Sequence, residues 1–230
     1  MSKARELDLA LMMADLCGYT ALTETHGALL ASETVLRFVH MVQACLEPGV
    51  RIVDSIGDAV FCAGEDTLAV VRTALRLREA VAHEPAFPRV STGLHRGAVV
   101  EREGRLFGAP INLTARLTSR AEGGQILCTG QIAGAVAPSA GVVFHPLGEQ
   151  QFKNVAHPVG LFELTRSGGT GARVGVDPVC RMQVEFASAA TQRTHEGVTY
   201  PFCSTECARM FSAAPGLYAR LPGIAGPGNP

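Results

Sequence analysis

Ala14-Asp15-Leu16-Cys17-Gly18-Tyr19-Thr20-Ala21-Leu22 and Ser55-Ile56-Gly57-Asp58-Ala59-Val60 are the stretches on which the reading of this sequence turns. Asp15 closes an apolar run of strand length, Leu7 to Leu16, and stands just before the turn Cys17-Gly18-Tyr19. Asp58 falls at the tip of a hairpin predicted over Arg51 to Ala63, two apolar arms around Ser55-Ile56-Gly57-Asp58. Strand ends and tight hairpins hold a side chain rigidly. Carboxylates held this way suit Mg²⁺, which takes one or two of them and leaves its other positions to substrate phosphates. Two aspartates so far apart in the chain also fit ordinary turn or capping residues, so their surroundings decide.

Outward from these stretches, apolar residues at Leu29, Leu30, Val35, Phe38, Val39 and Val42 give Thr20 to Leu46 helical spacing, stopped by Pro48-Gly49. Thr67 to Ala82 is a second amphipathic helix. Val90 to Val100 reads as a strand, Pro110 to Ala121 as a helix and Gln125 to Thr129 as a strand, and Val142 to Leu164 holds the last strands. The order β-α-β-β-α-β-α-β predicts an α+β fold of the ferredoxin-like kind, an antiparallel-rich sheet with helices on one face.

The chain has 230 residues, 47% hydrophobic and 18% charged, enough for one large domain with a core and a small second one. A formal net charge of -1 gives no basic field for nucleic acid or an anionic membrane. No apolar run approaches the ~18 residues of a membrane span. The start, Met1-Ser2-Lys3-Ala4-Arg5-Glu6, lacks the marks of a signal peptide, so the cytoplasm is expected. The 7 cysteines are odd in number and too few for a disulfide framework. Cys17, Cys45, Cys62 and Cys128 are scattered among apolar residues and read as buried thiols, whereas Cys180, Cys203 and Cys207 cluster near the end. Ser167-Gly168-Gly169-Thr170-Gly171-Ala172 is a flexible linker by composition. The expected division is a domain over 1–166, a linker over 167–174, a module over 175–221 and a disordered tail over 222–230.

The stretch around Asp15 resembles the first metal motif of class III adenylate and guanylate cyclases, and the stretch around Asp58 their second. Gly93-Leu94-His95-Arg96-Gly97 is similar to the strand that follows in that family. Phe107-Gly108-Ala109-Pro110-Ile111-Asn112-Leu113-Thr114-Ala115-Arg116-Leu117 is similar to its ribose- and phosphate-binding helix. Gly123-Gly124-Gln125-Ile126-Leu127 and Gly148-Glu149-Gln150-Gln151-Phe152-Lys153 match its closing strands, so the resemblance covers nearly all of residues 7–165 in order. It implies that Asp15 and Asp58 bind two Mg²⁺ or Mn²⁺ ions, that Asn112 orients the ribose, that Arg116 stabilises the α-phosphate and that Lys153 contacts the terminal phosphates. It also implies a homodimer in which one subunit supplies the aspartates and its partner the other three residues. The substrate is then a nucleoside triphosphate and the product a 3′,5′-cyclic nucleotide with pyrophosphate.

The base-reading positions depart from this pattern. Adenylate forms have a lysine four residues before the second metal aspartate, where this chain has Asp54. They have an aspartate or threonine three residues before the glycine of the helix motif, where it has Arg105. Three readings stay open: the two still read a base, a pyrimidine among them; they pair with each other and selectivity is weak; or the domain is an inactive nucleotide-binding or dimerising scaffold. Retention of Asp15, Asp58, Asn112, Arg116 and Lys153 favours an enzyme. Glu101-Arg102-Glu103-Gly104-Arg105 is shorter than the dimer arm often found in the family and resembles a bacterial branch with a compact turn.

Toward the end, Asp177-Pro178-Val179-Cys180-Arg181-Met182 precedes Tyr200-Pro201-Phe202-Cys203-Ser204-Thr205-Glu206-Cys207. A module this small scarcely builds a sufficient core and often needs a metal. Cys203 and Cys207 share one helical turn and Cys180 offers a third thiolate, a soft site for Zn²⁺ or Cu⁺, against the alternative of three buried thiols. The segment is similar to the YHS domain, with Arg181 in place of the glycine that follows its first cysteine. His195 is either a fourth ligand or an exposed hairpin residue, and Met182 is read as packing.

Overall fold

The strand expected at Leu7 to Leu16 forms as β1 (Arg5–Leu16), and Leu9, Ala10, Leu11 and Met12 are buried in succession. The computed structural model describes residues 4–84, 86–137, 141–166 and 174–219. Consecutive strand residues point to opposite faces, so a strand buried this way is covered on both. Ala10, Met12, Ala14 and Leu16 enter a core with Phe38, Val42, Val70 and Leu75. Leu9 and Leu11 enter a second one with Phe61, Val99 and Leu106.

After β1 come α1 (Tyr19–Cys45), β2 (Val50–Ile56), β3 (Ala59–Gly64), α2 (Thr67–His83) and β4 (Val90–Arg102). The sheet order β2-β3-β1-β4, antiparallel throughout, is the ferredoxin-like arrangement expected from the sequence. The sheet continues through β6 (Ile126–Thr129), parallel to β4, then β8 (Val159–Arg166) and β7 (Val142–Gln150), while β5 (Arg105–Phe107) folds back on β4. The compact turn between β4 and β5 uses Glu103 and Gly104, both at positive φ. The sequence reading missed β5 and the short helix α4 (Gly130–Ala135).

One expectation is corrected. α1, α2 and α4 contribute to the core on one face of the sheet, but α3 (Ala109–Arg120) lies on the other. It sits against Gly93, which pairs with Met13, and the Thr118 hydroxyl donates to the Met13 carbonyl at 3.1 Å. Both faces of β1 are apolar, and a lone helix layer would have left one of them in water. A Cβ on Gly93 would stand 2.6 Å from the Thr118 backbone nitrogen and 2.7 Å from the Thr114 carbonyl oxygen, so glycine lets the helix approach this closely.

α1 also departs from a continuous helix. Gly27 has φ 83 and ψ 165, which splits off the first turns. Leu29, counted inward by its spacing, is 76% exposed. Leu30 and Leu22 turn instead to the C-terminal module.

That module consists of β9 (Val174–Val176), β10 (Gln183–Glu185), β11 (Thr191–His195), β12 (Val198–Phe202), α5 (Thr205–Ala213) and α6 (Pro215–Tyr218). Two separate two-stranded ribbons are marginal alone. Its core of Val179, Cys180, Met182, Tyr200, Phe202, Cys207, Ala208 and Phe211 is completed by Leu22 of α1. The Gln183 amide donates to the Phe87 carbonyl at 2.8 Å, extending the contact. Met182 is packing, as expected. Residues 167–173 of the expected linker and the tail over 222–230 lie outside the described residues. Among the described residues, no helix is long and apolar enough to cross a membrane.

His95 is 7% exposed on β4, its Nδ1 2.9 Å from the Thr129 hydroxyl. Burial holds its pKa down to about 4, with Asp8 opposing. The unfolded chain therefore binds a proton between about pH 6.5 and about pH 4 that the folded chain does not. This contribution to stability is complete above about pH 6.5 and is lost as pH falls, by about 3 kcal/mol at the acid end. Denaturant titrations of wild type and His95→Gln across this range are expected to differ in slope, with wild type falling more steeply toward acid. Gly93→Ala is expected to lose about 2 kcal/mol through overpacking against helix backbone, read from the urea midpoint.

Candidate active site and cysteine centre

Asp15 lies at the end of β1, opposite Ala59 of β3 and Ser91 of β4. The Leu16 amide donates to the Asp58 carbonyl at 3.3 Å, which ties the backbones of the two aspartates together. Burial, then the charge of Asp58, raises the Asp15 carboxyl to about 6, against the lowering effect of the Leu16 backbone. Among the described residues neither aspartate forms an ion pair. Two crowded carboxylates without a countercharge are a fitting donor set for a hard divalent cation.

Asn112 and Arg116 project from α3, away from its buried residues Thr114, Leu117 and Thr118; Asn112 is exposed and Arg116 half-buried. A helix places residues four apart on one face. Lys153 is exposed and follows Phe152, which packs with Leu117 and Leu161 and so holds the loop between β7 and β8 against α3. These three residues thus belong to one region, and among the described residues no ion pair joins them to Asp15 or Asp58. A Cβ on Gly97 would stand 2.8 Å from Pro110, at the start of α3, and Gly97 lies six residues along β4 from Ser91, the partner of Asp15. At ~3.3 Å per residue the start of α3 lies roughly 20 Å from the level of Asp15, and the helix runs back from there along β4 to Thr118, which is bonded to Met13, two residues before Asp15.

Asp54 and Arg105 are exposed, on β2 and β5. Asp54 accepts a hydrogen bond from the Ser55 amide at 2.9 Å, and among the described residues it makes no ion pair with Arg105. Within one chain, the two therefore do not neutralise each other.

In the C-terminal module, Cys180 follows β9, Cys203 follows β12, and Cys207 sits in the first turn of α5, whose N-cap Ser204 accepts from the Cys207 amide. Sulfur separations are 3.4 Å for Cys180 and Cys203 and 3.7 Å for Cys203 and Cys207. Hydrogen bonds from Cys180 and Cys203 pull the Cys207 thiol far below its usual range, and the proton is held on Cys180. Asp177, fully buried, accepts from the Val179 and Cys203 amides at 2.9 Å and from the Cys180 amide at 3.4 Å, clamping two cysteine-bearing loops together.

The fourth group at this centre comes from the other domain. His26 Nε2 lies 3.8 Å from Cys203 Sγ and 3.7 Å from Cys207 Sγ, and the four potential ligand atoms all lie within 4.8 Å of one another. His195 takes no part; its ring meets the edge of Phe211, with centroids 6.0 Å apart. The sequence reading missed His26 because no spacing rule links it to the cysteines. The ligand role of its residue type, just before a helix-breaking glycine, was the one available signal. Asp177 was legible only as part of a motif, with no role attached. Arg181, where the YHS pattern has glycine, has φ 68, in the region that favours glycine. Its side chain lies over Gly18 of the first domain.

A family model described as the YHS domain matches residues 176–221. A pH-sensitive adenylate cyclase of Mycobacterium tuberculosis is 32% identical over 176 residues, 74% of this chain and 44% of the relative. An adenylate cyclase of Streptomyces coelicolor is 36% identical over 112 residues, 48% of this chain and 29% of the relative. The chain thus spans less than half the length of these curated relatives. Among solved structures, the adenylyl cyclase CyaB of P. aeruginosa superposes with a TM-score of 0.61 at 19% identity, covering 72% of this chain and 97% of that one. An adenylate/guanylate cyclase/hydrolase from Silicibacter pomeroyi gives a TM-score of 0.59 at 24% identity, covering 73% of this chain and 100% of that one. The first two-thirds of this chain therefore have the fold of class III nucleotidyl cyclase domains and are similar in sequence to adenylate cyclases, and residues 176–221 match the YHS domain.

Proposed function

We propose that the chain forms a homodimer that converts a nucleoside triphosphate to its 3′,5′-cyclic nucleotide and pyrophosphate, and that its YHS domain binds a transition metal. The observation that carries the first part is the crowded pair Asp15 and Asp58, tied through the Leu16 amide and, among the described residues, without an ion pair to Arg116 or Lys153. Two copies related by a two-fold axis bring each pair of aspartates to the partner's α3 and give two equivalent sites.

Asp15 and Asp58 would hold Mg²⁺ or Mn²⁺, which when bound would supply positive charge to the triphosphate and lower the pKa of the ribose 3′-hydroxyl. The chain's own groups position and stabilise. Asn112 hydrogen-bonds the ribose and aligns its 3′-oxygen with the α-phosphorus. Arg116 offers a planar fork to two α-phosphate oxygens as charge grows there. Lys153 gathers the terminal phosphates and so favours departure of pyrophosphate. Asp54 and Arg105, exposed and unpaired with each other, stand ready to read the base. The adenylate cyclases among the relatives favour ATP. The altered pair favours a pyrimidine triphosphate as the second choice, and a silent nucleotide-binding scaffold for the YHS domain as the third. Free cysteines throughout the described residues suit the reducing cytoplasm, where we place the protein.

Purified protein with Mn²⁺ and each of ATP, GTP, CTP and UTP is expected to yield cyclic AMP by mass spectrometry. A cyclic pyrimidine nucleotide would reassign the base, and no product from folded dimers with any of the four would favour the scaffold. Asp15→Asn is expected to lower kcat by at least about a thousandfold, since the phosphates lose their main countercharge.

Shared sites make a second prediction. Asp15→Asn and Arg116→Ala chains are each expected to be inactive. Mixed and re-equilibrated, they are expected to regain about a quarter of wild-type activity, because half the dimers would hold one intact site. Absence of complementation, with exchange verified, would place each site within a single chain.

A further inference from the structure

The segment Cys17 to His26 of the first domain runs along the YHS domain, beside further contacts made by Leu30 and Phe87. Gly18 caps α1 at φ 79, and a Cβ there would stand 2.4 Å from Cβ and Cγ of Arg181. Further on, Leu22 is fully buried in the YHS core beside Phe202, Phe211 and Cys207. His26 follows, its ring nitrogen at the three sulfurs, and Gly27 then breaks the helix. The break lets the first turns of α1 follow the YHS domain while the rest of the helix packs on the sheet.

The separations among these atoms carry a chemical message. For a tetrahedral ion with bonds of ~2.3 Å to sulfur and ~2.0 Å to imidazole, the edges are about 3.8 Å between sulfurs and about 3.5 Å between sulfur and nitrogen. The observed edges are 3.4 and 3.7 Å between sulfurs and 3.7 and 3.8 Å from sulfur to His26 Nε2. Four donors already stand at the corners of such a site, and the Asp177 carboxylate fixes the backbone around two of them.

We infer that His26 is the fourth protein ligand of the Cys180, Cys203 and Cys207 centre, so that one tetrahedral ion of the zinc class, bound there, staples the YHS domain to the cyclase domain. This rests on the reading that the YHS domain binds a metal, and deepens it. Three thiolates alone leave a vertex to water, and the imidazole closes it, the saturated pattern of a structural zinc site. A Cys₃His donor set favours zinc over Cu⁺, which is content with fewer, all-sulfur ligands. Because the ligands come from both domains, metal binding is also binding of one domain by the other. The segment it immobilises follows Asp15 directly in the chain.

Full-length apoprotein titrated with Co²⁺ is expected to bind one ion, with the intense visible bands of a tetrahedral site and sulfur charge transfer. In competition with a chromophoric chelator, His26→Ala is expected to bind Zn²⁺ at least about tenfold more weakly, with altered cobalt bands. His195→Ala should match wild type in both. Two readouts need no substitution. Cadmium NMR of wild type with nitrogen-labelled histidine is expected to show metal-to-nitrogen coupling to one imidazole, and zinc is expected to slow amide exchange in residues 17–26 as well as in 203–207. Metal binding with unchanged affinity in His26→Ala, no imidazole coupling and protection confined to the YHS domain would overturn the staple and leave a three-cysteine site. No metal binding by wild type would overturn the underlying reading as well.

Discussion

Side chains from β1 enter two cores at once, Ala10, Met12, Ala14 and Leu16 on one face and Leu9 and Leu11 on the other. A strand of this kind is stable only in the middle of a sheet covered on both sides, because either face left open would expose apolar surface to water. From this follow the place of β3 and β4 beside it, the position of α3 opposite the other helices, and the emergence of Asp15 where burial ends. Gly93 and Gly97 complete the arrangement, since their missing side chains are what let α3, and with it Asn112 and Arg116, settle on β4. The motif Gly93-Leu94-His95-Arg96-Gly97 thus acts through packing, by seating α3 on β4.

The YHS domain shows the opposite economy. Its ribbons are too small to enclose a core, and it takes Leu22, with Tyr19 and Leu30 packed alongside, from the first domain. Arg181 belongs to the same compromise. A non-glycine residue at φ 68 is strained by roughly 1 kcal/mol. In exchange its side chain lies on Gly18 and extends the contact between domains. Where the YHS pattern needs only a turn, this chain has made an interface.

The candidate site was legible to different depths. The two metal-motif stretches and the α3 helix were recognisable because catalysis fixes residue types at short, regular spacings. The departures at Asp54 and Arg105 were visible for the same reason. α3 was placed on the wrong face because helical periodicity tells that a helix has an apolar side, and not which side of a sheet receives it. Leu29 was counted inward although it stands nine residues before Phe38, about two and a half turns away and so on the opposite face of the helix.

By itself, the sequence determined the order of elements, the α+β class, the carboxylate pair and the three clustered cysteines, all of them properties written in local pattern or short motif. Only the tertiary structure decided that the two domains share a core, that Asp177 joins the cysteine loops, and that His26 rather than His195 stands at the sulfurs. The physical reason is that a metal-ligand set is defined by distances of a few ångströms. Residues remote in the chain reach such distances only when packing elsewhere, here Leu22 beneath Phe202 and Phe211, has fixed how the domains meet.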